Sequence, residues 1–122
     1  MDTGWQSIMN HFRRGRGHLI VYFWNRFQWD YYHRIKIVPK FPLNVDIESS
    51  SKCNLKCVHC FRQYMDMNEY DFMPMELYRK IVDECAQYKL FTLKFSMRGE
   101  PTLHPDIVEM VDYAKKKGIK EV

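Results

Sequence analysis

From residue 43 the chain alternates. In LNVDIE, Leu43, Val45 and Ile47 are separated by Asn44, Asp46 and Glu48, and that period of two predicts a half-buried strand. A second alternation, FTLKFSM, sets Phe91, Leu93, Phe95 and Met97 on one side and predicts another strand. Between the two, Leu77, Ile81, Cys85 and Tyr88 recur at helical spacing and mark the apolar face of a helix. That helix begins near Pro74, which suits a first helical position, with Glu76 favourable in the first turn. A further helix has Pro105 just inside its start, Asp106 and Glu109 early, Lys115, Lys116 and Lys117 late, and Gly118 to close it. The last four residues, IKEV, are read as the opening of a third strand.

Strand, helix, strand, helix, strand is the signature of an α/β fold with parallel strands. Both loops that leave the C-terminal ends of the strands then emerge on one edge of the sheet. The first carries KCNLKCVHCF, residues 52–61, and the second carries RGEPTLH, residues 98–104. In βα barrels that edge is where chemistry is placed. A complete barrel takes about 250 residues, whereas this chain has 122. The expected architecture is therefore the N-terminal part of a partial, TIM-like (β/α) barrel, incomplete in this chain and read as a piece of a longer protein. Little or no turnover is expected of such a piece by itself.

The segment before the alternation has a different character. Residues 19–38, LIVYFWNRFQWDYYHRIKIV, are apolar enough to consider as a membrane span, but Arg26, Asp30, His33, Arg34 and Lys36 interrupt them. A span needs about 20 predominantly apolar residues. No apolar block ends in a small-residue cleavage site of the kind that marks a secretory signal, so a cytoplasmic protein is the expectation. Residues 1–40 hold seven Lys and Arg against Asp2 and Asp30, a balance of +5 within a chain of net charge +4. Such a basic, aromatic-rich leader, read as helical, has two natural partners, nucleic acid and an anionic membrane surface. The reading adopted is plainer: a solvated helix whose aromatic side covers the domain that follows.

The chemistry sits in the cysteines. Cys53, Cys57 and Cys60 form a C-x3-C-x2-C pattern, and Cys85 stands apart on the predicted helix. Clustered cysteines in a cytosolic setting point to a metal or to catalysis more than to disulfides. Thiolates are soft ligands suited to iron–sulfur clusters and zinc. A cubane cluster ordinarily takes four cysteines; with three, one iron keeps an open coordination position. Cys85 shares a helical face with Leu77 and Ile81 and is read as a small buried hydrophobe, not as a fourth ligand.

CNLKCVHC, together with the second loop, resembles the radical S-adenosylmethionine (radical SAM) enzymes over about residues 43–122. The resemblance implies that Cys53, Cys57 and Cys60 ligate three irons of a [4Fe–4S] cluster. The amino and carboxylate groups of S-adenosylmethionine would chelate the fourth. The residue before the last cysteine is usually aromatic in that family and lies near the adenine, and His59 stands there. The family's Gly-Gly-Glu-Pro element, which binds the methionine amino group, is matched by Gly99, Glu100 and Pro101, with Arg98 in place of the first glycine. No catalytic residue beyond the cluster ligands is implied.

The same resemblance implies a reaction and its partners. One electron, from a flavodoxin- or ferredoxin-type donor, cleaves the sulfonium, and a 5′-deoxyadenosyl radical abstracts hydrogen from the substrate. Residues 41–122 would be a truncated radical SAM core holding the first two βα units and the start of a third strand. CNLKCVHC with GEPTLHPDI looks most like the branch whose members modify peptides and carry a C-terminal SPASM domain for auxiliary clusters. The alternative is a non-catalytic binding module, with zinc or an iron–sulfur cluster at the cysteines and the basic leader as its partner surface. His104, ahead of Pro105, is read as a helix-entry residue.

Overall fold

The computed structural model describes residues 4–15, 17–64 and 71–122. They form two compact units, one running up to residue 43 and including Glu121, and one of residues 44–120 with Val122. The first holds helices α1 (Gly4–Arg14) and α2 (Leu19–Tyr31). Between them Gly17 takes φ +84°, a conformation glycine adopts without penalty. Tyr22 of α2 is fully buried, and its hydroxyl lies 2.7 Å from His11 Nδ1 on α1. Among the described residues, no helix is long and apolar enough to cross a membrane.

The second unit carries the alternating segments. Strand β1 (Asn44–Ile47) pairs in parallel with β2 (Thr92–Phe95), Asn44 opposite Thr92 and Ile47 opposite Phe95. Parallel neighbours need a crossover connection, here made through α3 (Met75–Gln87), and α4 (Ile107–Lys116) follows β2. The α/β class with parallel strands is as the alternation predicts.

Packing buries Cys85 as expected but turns the rest of the core face of α3 by one residue. Tyr78, Val82 and Cys85 are buried, whereas Leu77 and Tyr88 are about half exposed. Apolar residues occupy two adjacent stripes of this helix, so spacing alone does not choose between them. Tyr78 decides: its ring stacks on Phe95 of β2, and its hydroxyl donates to Met110 O of α4 at 2.7 Å. Burial, with smaller contributions from Cys85 and Tyr113, pushes the phenol well above its ordinary range and keeps it a neutral donor. Tyr78→Phe is expected to lower stability by about 1–2 kcal/mol, read as a lower urea midpoint at unchanged slope. An unchanged midpoint would show that the buried bond contributes nothing. Cys85 lies in the same core, where burial raises its thiol pKa, consistent with a small apolar group.

Both helices end in the same hydrogen-bonded cap. At α4, Gly118 N–H donates to Lys115 O and Ile119 N–H to Ala114 O, with Gly118 at φ +94°. At α3, Lys89 N–H donates to Ala86 O and Leu90 N–H to Cys85 O, with Lys89 at φ +55°. This is the Schellman arrangement, which satisfies orphan carbonyls and seats an apolar residue just beyond the helix; Leu90 and Ile119 are both buried. The cap also commits the backbone of Ile119. Among the described residues the sheet has two strands, and over residues 119–122 only Glu121 takes a bridge position.

Candidate functional site

The two loops that follow β1 and β2 meet at their roots. Ser96 N–H donates to Ile47 O at 3.1 Å, carrying the pairing one step past β2. Four residues on, Glu100 N–H donates to Lys52 O at 2.8 Å, next to Cys53. Between these contacts Gly99 lies against the first loop. A Cβ there would overlap the Ser50 carbonyl oxygen, sit 2.5 Å from its carbon and 2.9 Å from Lys52 O. Its φ lies outside the left-handed region, so the glycine is required for space and not for an unusual conformation.

Arg98 is accommodated by a partner. Its Nε donates to both carboxylate oxygens of Glu48, at 3.1 and 2.9 Å, and that charge-assisted contact raises the guanidinium pKa further. The backbone irregularity falls one residue earlier, at Met97, with φ +112° and the residue 63% exposed. Met97 was expected on the buried side of β2. The strand ends at Phe95, so the two-residue period no longer governs it.

Glu100 is held in a defined state. Its Oε1 accepts from Thr102 Oγ1 at 2.7 Å and from Thr102 N at 3.2 Å, capping a short 3-10 turn, Pro101–Leu103. The hydroxyl contact first, and the backbone contact second, lower the carboxyl pKa, while slight desolvation opposes them. A lowered folded-state pKa keeps the group ionised, and the stability it contributes is present above the unfolded pKa and lost as pH falls through the folded value. Thr102→Val removes the larger cause, so the Glu100 titration followed by carboxyl NMR is expected to move up toward an ordinary glutamate. An unmoved titration would exclude the hydroxyl as the cause. Both bonds fall on Oε1.

The cysteine loop is closed at its stem. Ser51 N–H and Oγ donate to Asp71 O at 3.0 and 3.1 Å, and Asp71 N–H donates to Ser51 Oγ at 2.7 Å. Ser50 forms an antiparallel bridge with Phe72, and Met73 N–H donates to Ser49 O at 2.9 Å. Lys52 Nζ lies 4.4 Å from the Phe72 ring centroid, within cation–π range. Beyond this stem Cys53 and Cys60 are half-buried and Cys57 is exposed, and no disulfide joins any of the four cysteines. Cys60 N–H donates to Cys57 O at 3.0 Å, a turn that folds the C-x2-C segment back on itself. His59, in that turn, is exposed.

Gly99, Glu100 and Pro101 are thus brought to the root of the cysteine loop, with Pro101 opening the 3-10 turn. The thiols are not brought together: among the described residues no three His, Cys, Asp or Glu side chains are gathered as a metal centre. In donor chemistry the loop still fits an iron–sulfur cluster, with three unoxidised thiols inside eight residues and a closed stem beneath them. The stem itself escaped the sequence reading. Its signal is the run Ser49–Ser50–Ser51 directly after a strand, since serine side chains readily bond to nearby backbone.

Comparison with known proteins is consistent with this arrangement. The family model described as Radical SAM superfamily matches residues 47–122. The tungsten-containing aldehyde ferredoxin oxidoreductase cofactor-modifying protein of Pyrococcus furiosus is 40% identical over 73 residues, 59% of this chain and 20% of that protein. The Fe-coproporphyrin III synthase of Methanosarcina barkeri is 37% identical over 71 residues, 58% of this chain and 18% of that protein. The mycofactocin maturase MftC of Mycobacterium tuberculosis is 33% identical over 73 residues, 60% of this chain and 18% of that protein. The chain therefore spans about a fifth of the length of the curated relatives it matches. The crystal structure of BtrN in complex with AdoMet and 2-DOIA superposes with a TM-score of 0.59 at 21% identity, covering 66% of this chain and 33% of that one. At that identity the likeness shows the fold.

Proposed function

The chain belongs to the radical SAM superfamily, and from that premise we propose that it supplies the cofactor-binding part of an enzyme that cleaves S-adenosylmethionine reductively. Members of the superfamily use a [4Fe–4S] cluster and S-adenosylmethionine, and they need an electron donor. When bound, that pair supplies one-electron cleavage of a sulfonium and abstraction of a hydrogen atom from substrate. In this reading Cys53, Cys57 and Cys60 hold the cluster. The observation that carries the reading is the bond from Glu100 N–H to Lys52 O beside the Gly99–Ser50 contact. It supports a single site built from both loops.

The residues of the chain then have separate tasks. Glu100, kept ionised by Thr102, would receive the methionine ammonium through a charge-assisted bond. Gly99 permits the close approach of the two backbones. Pro101, at the start of the 3-10 turn, directs the chain away from that contact. His59, exposed in the Cys57–Cys60 turn, would lie against the adenine. The electron donor is of flavodoxin or ferredoxin type. The relatives are named for three different activities, so the stretch shared with them carries the part common to all. Substrate choice is assigned to regions outside that stretch, and a peptide is the class carried forward from the cysteine-loop and GEPTLHPDI pattern.

Anaerobic reconstitution with iron and sulfide tests the proposal. Uptake of about four irons per chain and an absorption or EPR spectrum altered by S-adenosylmethionine are the expected results, and any 5′-deoxyadenosine formed would add to them. One tightly held zinc per chain with no iron uptake would overturn it in favour of a metal-stabilised binding module.

A further inference from the structure

His104, at the end of the second loop, is 3% exposed. Asp106 N–H donates to its Nδ1 at 3.0 Å. A backbone N–H can only donate, so Nδ1 carries no proton and the hydrogen of the neutral ring sits on Nε2. Nε2 lies 3.0 Å from Met73 O, and the bond therefore runs from the ring to that carbonyl. The ring also meets Phe72 edge to face, with centroids 5.2 Å apart. Phe72 bridges Ser50, and Met73 N–H bonds to Ser49 O. One side chain thus connects the segment that carries Glu100 with the returning segment that closes the cysteine loop.

We propose that His104 is a positioning residue: through its Nε2–H···O=C bond to Met73 it holds the stem of the cysteine loop shut and fixes that stem against the loop bearing Glu100. Its contacts are with Met73 O, Asp106 N–H and the Phe72 ring, so it acts through the stem and is not a catalytic residue. A residue needed only to start α4 would use Nδ1 alone, and the second bond to a carbonyl 31 residues earlier has no part in helix entry. The consequence for cofactor binding rests on the reading of the two loops given above, whereas the consequence for the stem does not.

The two bonds can be separated by substitution. Asparagine places its amide oxygen near the position of Nδ1 and keeps the helix-entry bond; glutamine places its amide NH2 near Nε2 and keeps the bond to Met73. In the full 122-residue chain without cofactors, His104→Asn is expected to speed hydrogen exchange at the Ser51, Asp71 and Met73 amides about tenfold. His104→Gln should leave those amides near the wild-type rate and speed Asp106 instead. In the reconstituted chain, S-adenosylmethionine titrated against the cluster spectrum should bind about tenfold more weakly to His104→Asn and normally to His104→Gln. The reverse pattern, or an equal response of the two variants, overturns the proposal. If both variants unfold, 15N NMR of the wild-type imidazole decides: an Nε2–H tautomer supports the assignment and an Nδ1–H tautomer overturns it. Failure of the wild-type chain to take up iron would count against the cofactor reading alone, because the exchange experiment needs no cluster.

Discussion

Gly99→Ala is expected to be the most damaging single-methyl substitution in the second unit. The added Cβ would fall onto the Ser50 carbonyl and within 2.9 Å of Lys52 O. Both obstacles are backbone atoms with no rotamer to change, so the loops themselves must part. Parting them breaks the Glu100 N–H to Lys52 O bond and disturbs the stem that Ser50 forms with Phe72. Overpacking against a rigid neighbour, with the loss of a backbone bond, lowers stability by about 2–4 kcal/mol. A urea titration should show the fall in midpoint, and the Glu100 amide should lose exchange protection more than amides in α3. Binding of S-adenosylmethionine should be lost with it, because the carboxylate no longer stands at the root of the cysteine loop. A variant with wild-type midpoint and wild-type binding would mean that the two loops do not approach this closely.

Replacing any one of Cys53, Cys57 and Cys60 with serine should abolish cluster assembly, with iron falling from about four per chain to near zero after reconstitution. Oxygen is a poor substitute for a thiolate toward the soft iron–sulfur unit, and two remaining cysteines leave a second iron without a protein ligand. Cys85→Ala gives the internal comparison. Its thiol is buried in α3 among Tyr78 and Val82, so iron content should stay at the wild-type level while stability drops by about 1 kcal/mol for the small cavity. Three variants without iron and one with it is the predicted pattern. Full iron in Cys57→Ser, or none in Cys85→Ala, would contradict the assignment of ligands.

How much of this was legible in advance depends on the range of the interaction concerned. The positions of β1, α3, β2 and α4 follow from local periodicity and from Pro74, Pro105 and Gly118, whose backbone effects act within a turn. The exposed face of α3 did not follow. Leu77 and Tyr78 are equally plausible core residues by spacing, and the choice depends on a carbonyl at Met110, 32 residues away. Met97 was misplaced for a related reason: its alternation with Phe95 is real in sequence, but the hydrogen-bonded ladder that gives alternation its meaning stops before it. At the candidate site, the cysteine spacing and GEP were visible because ligand and loop chemistry demand particular residue types. Ser51, Asp71 and the Met73 carbonyl were not visible, since their role depends on a chain return that no local pattern announces. Arg98 is intermediate: its departure from the family's glycine is plain, but its pairing with Glu48 requires knowing that the two strands are neighbours.

By itself, then, the amino-acid order determined the α/β class, the parallel strands, the three clustered thiols and the acidic residue on the second loop. Each of these is encoded in residue type and short-range spacing. Tertiary structure alone decided that Gly99 serves as space for Ser50 and that His104 joins both loops. Those facts depend on which backbone atoms meet across tens of residues, and packing fixes such meetings only once the parallel strands have brought the two loops to one edge.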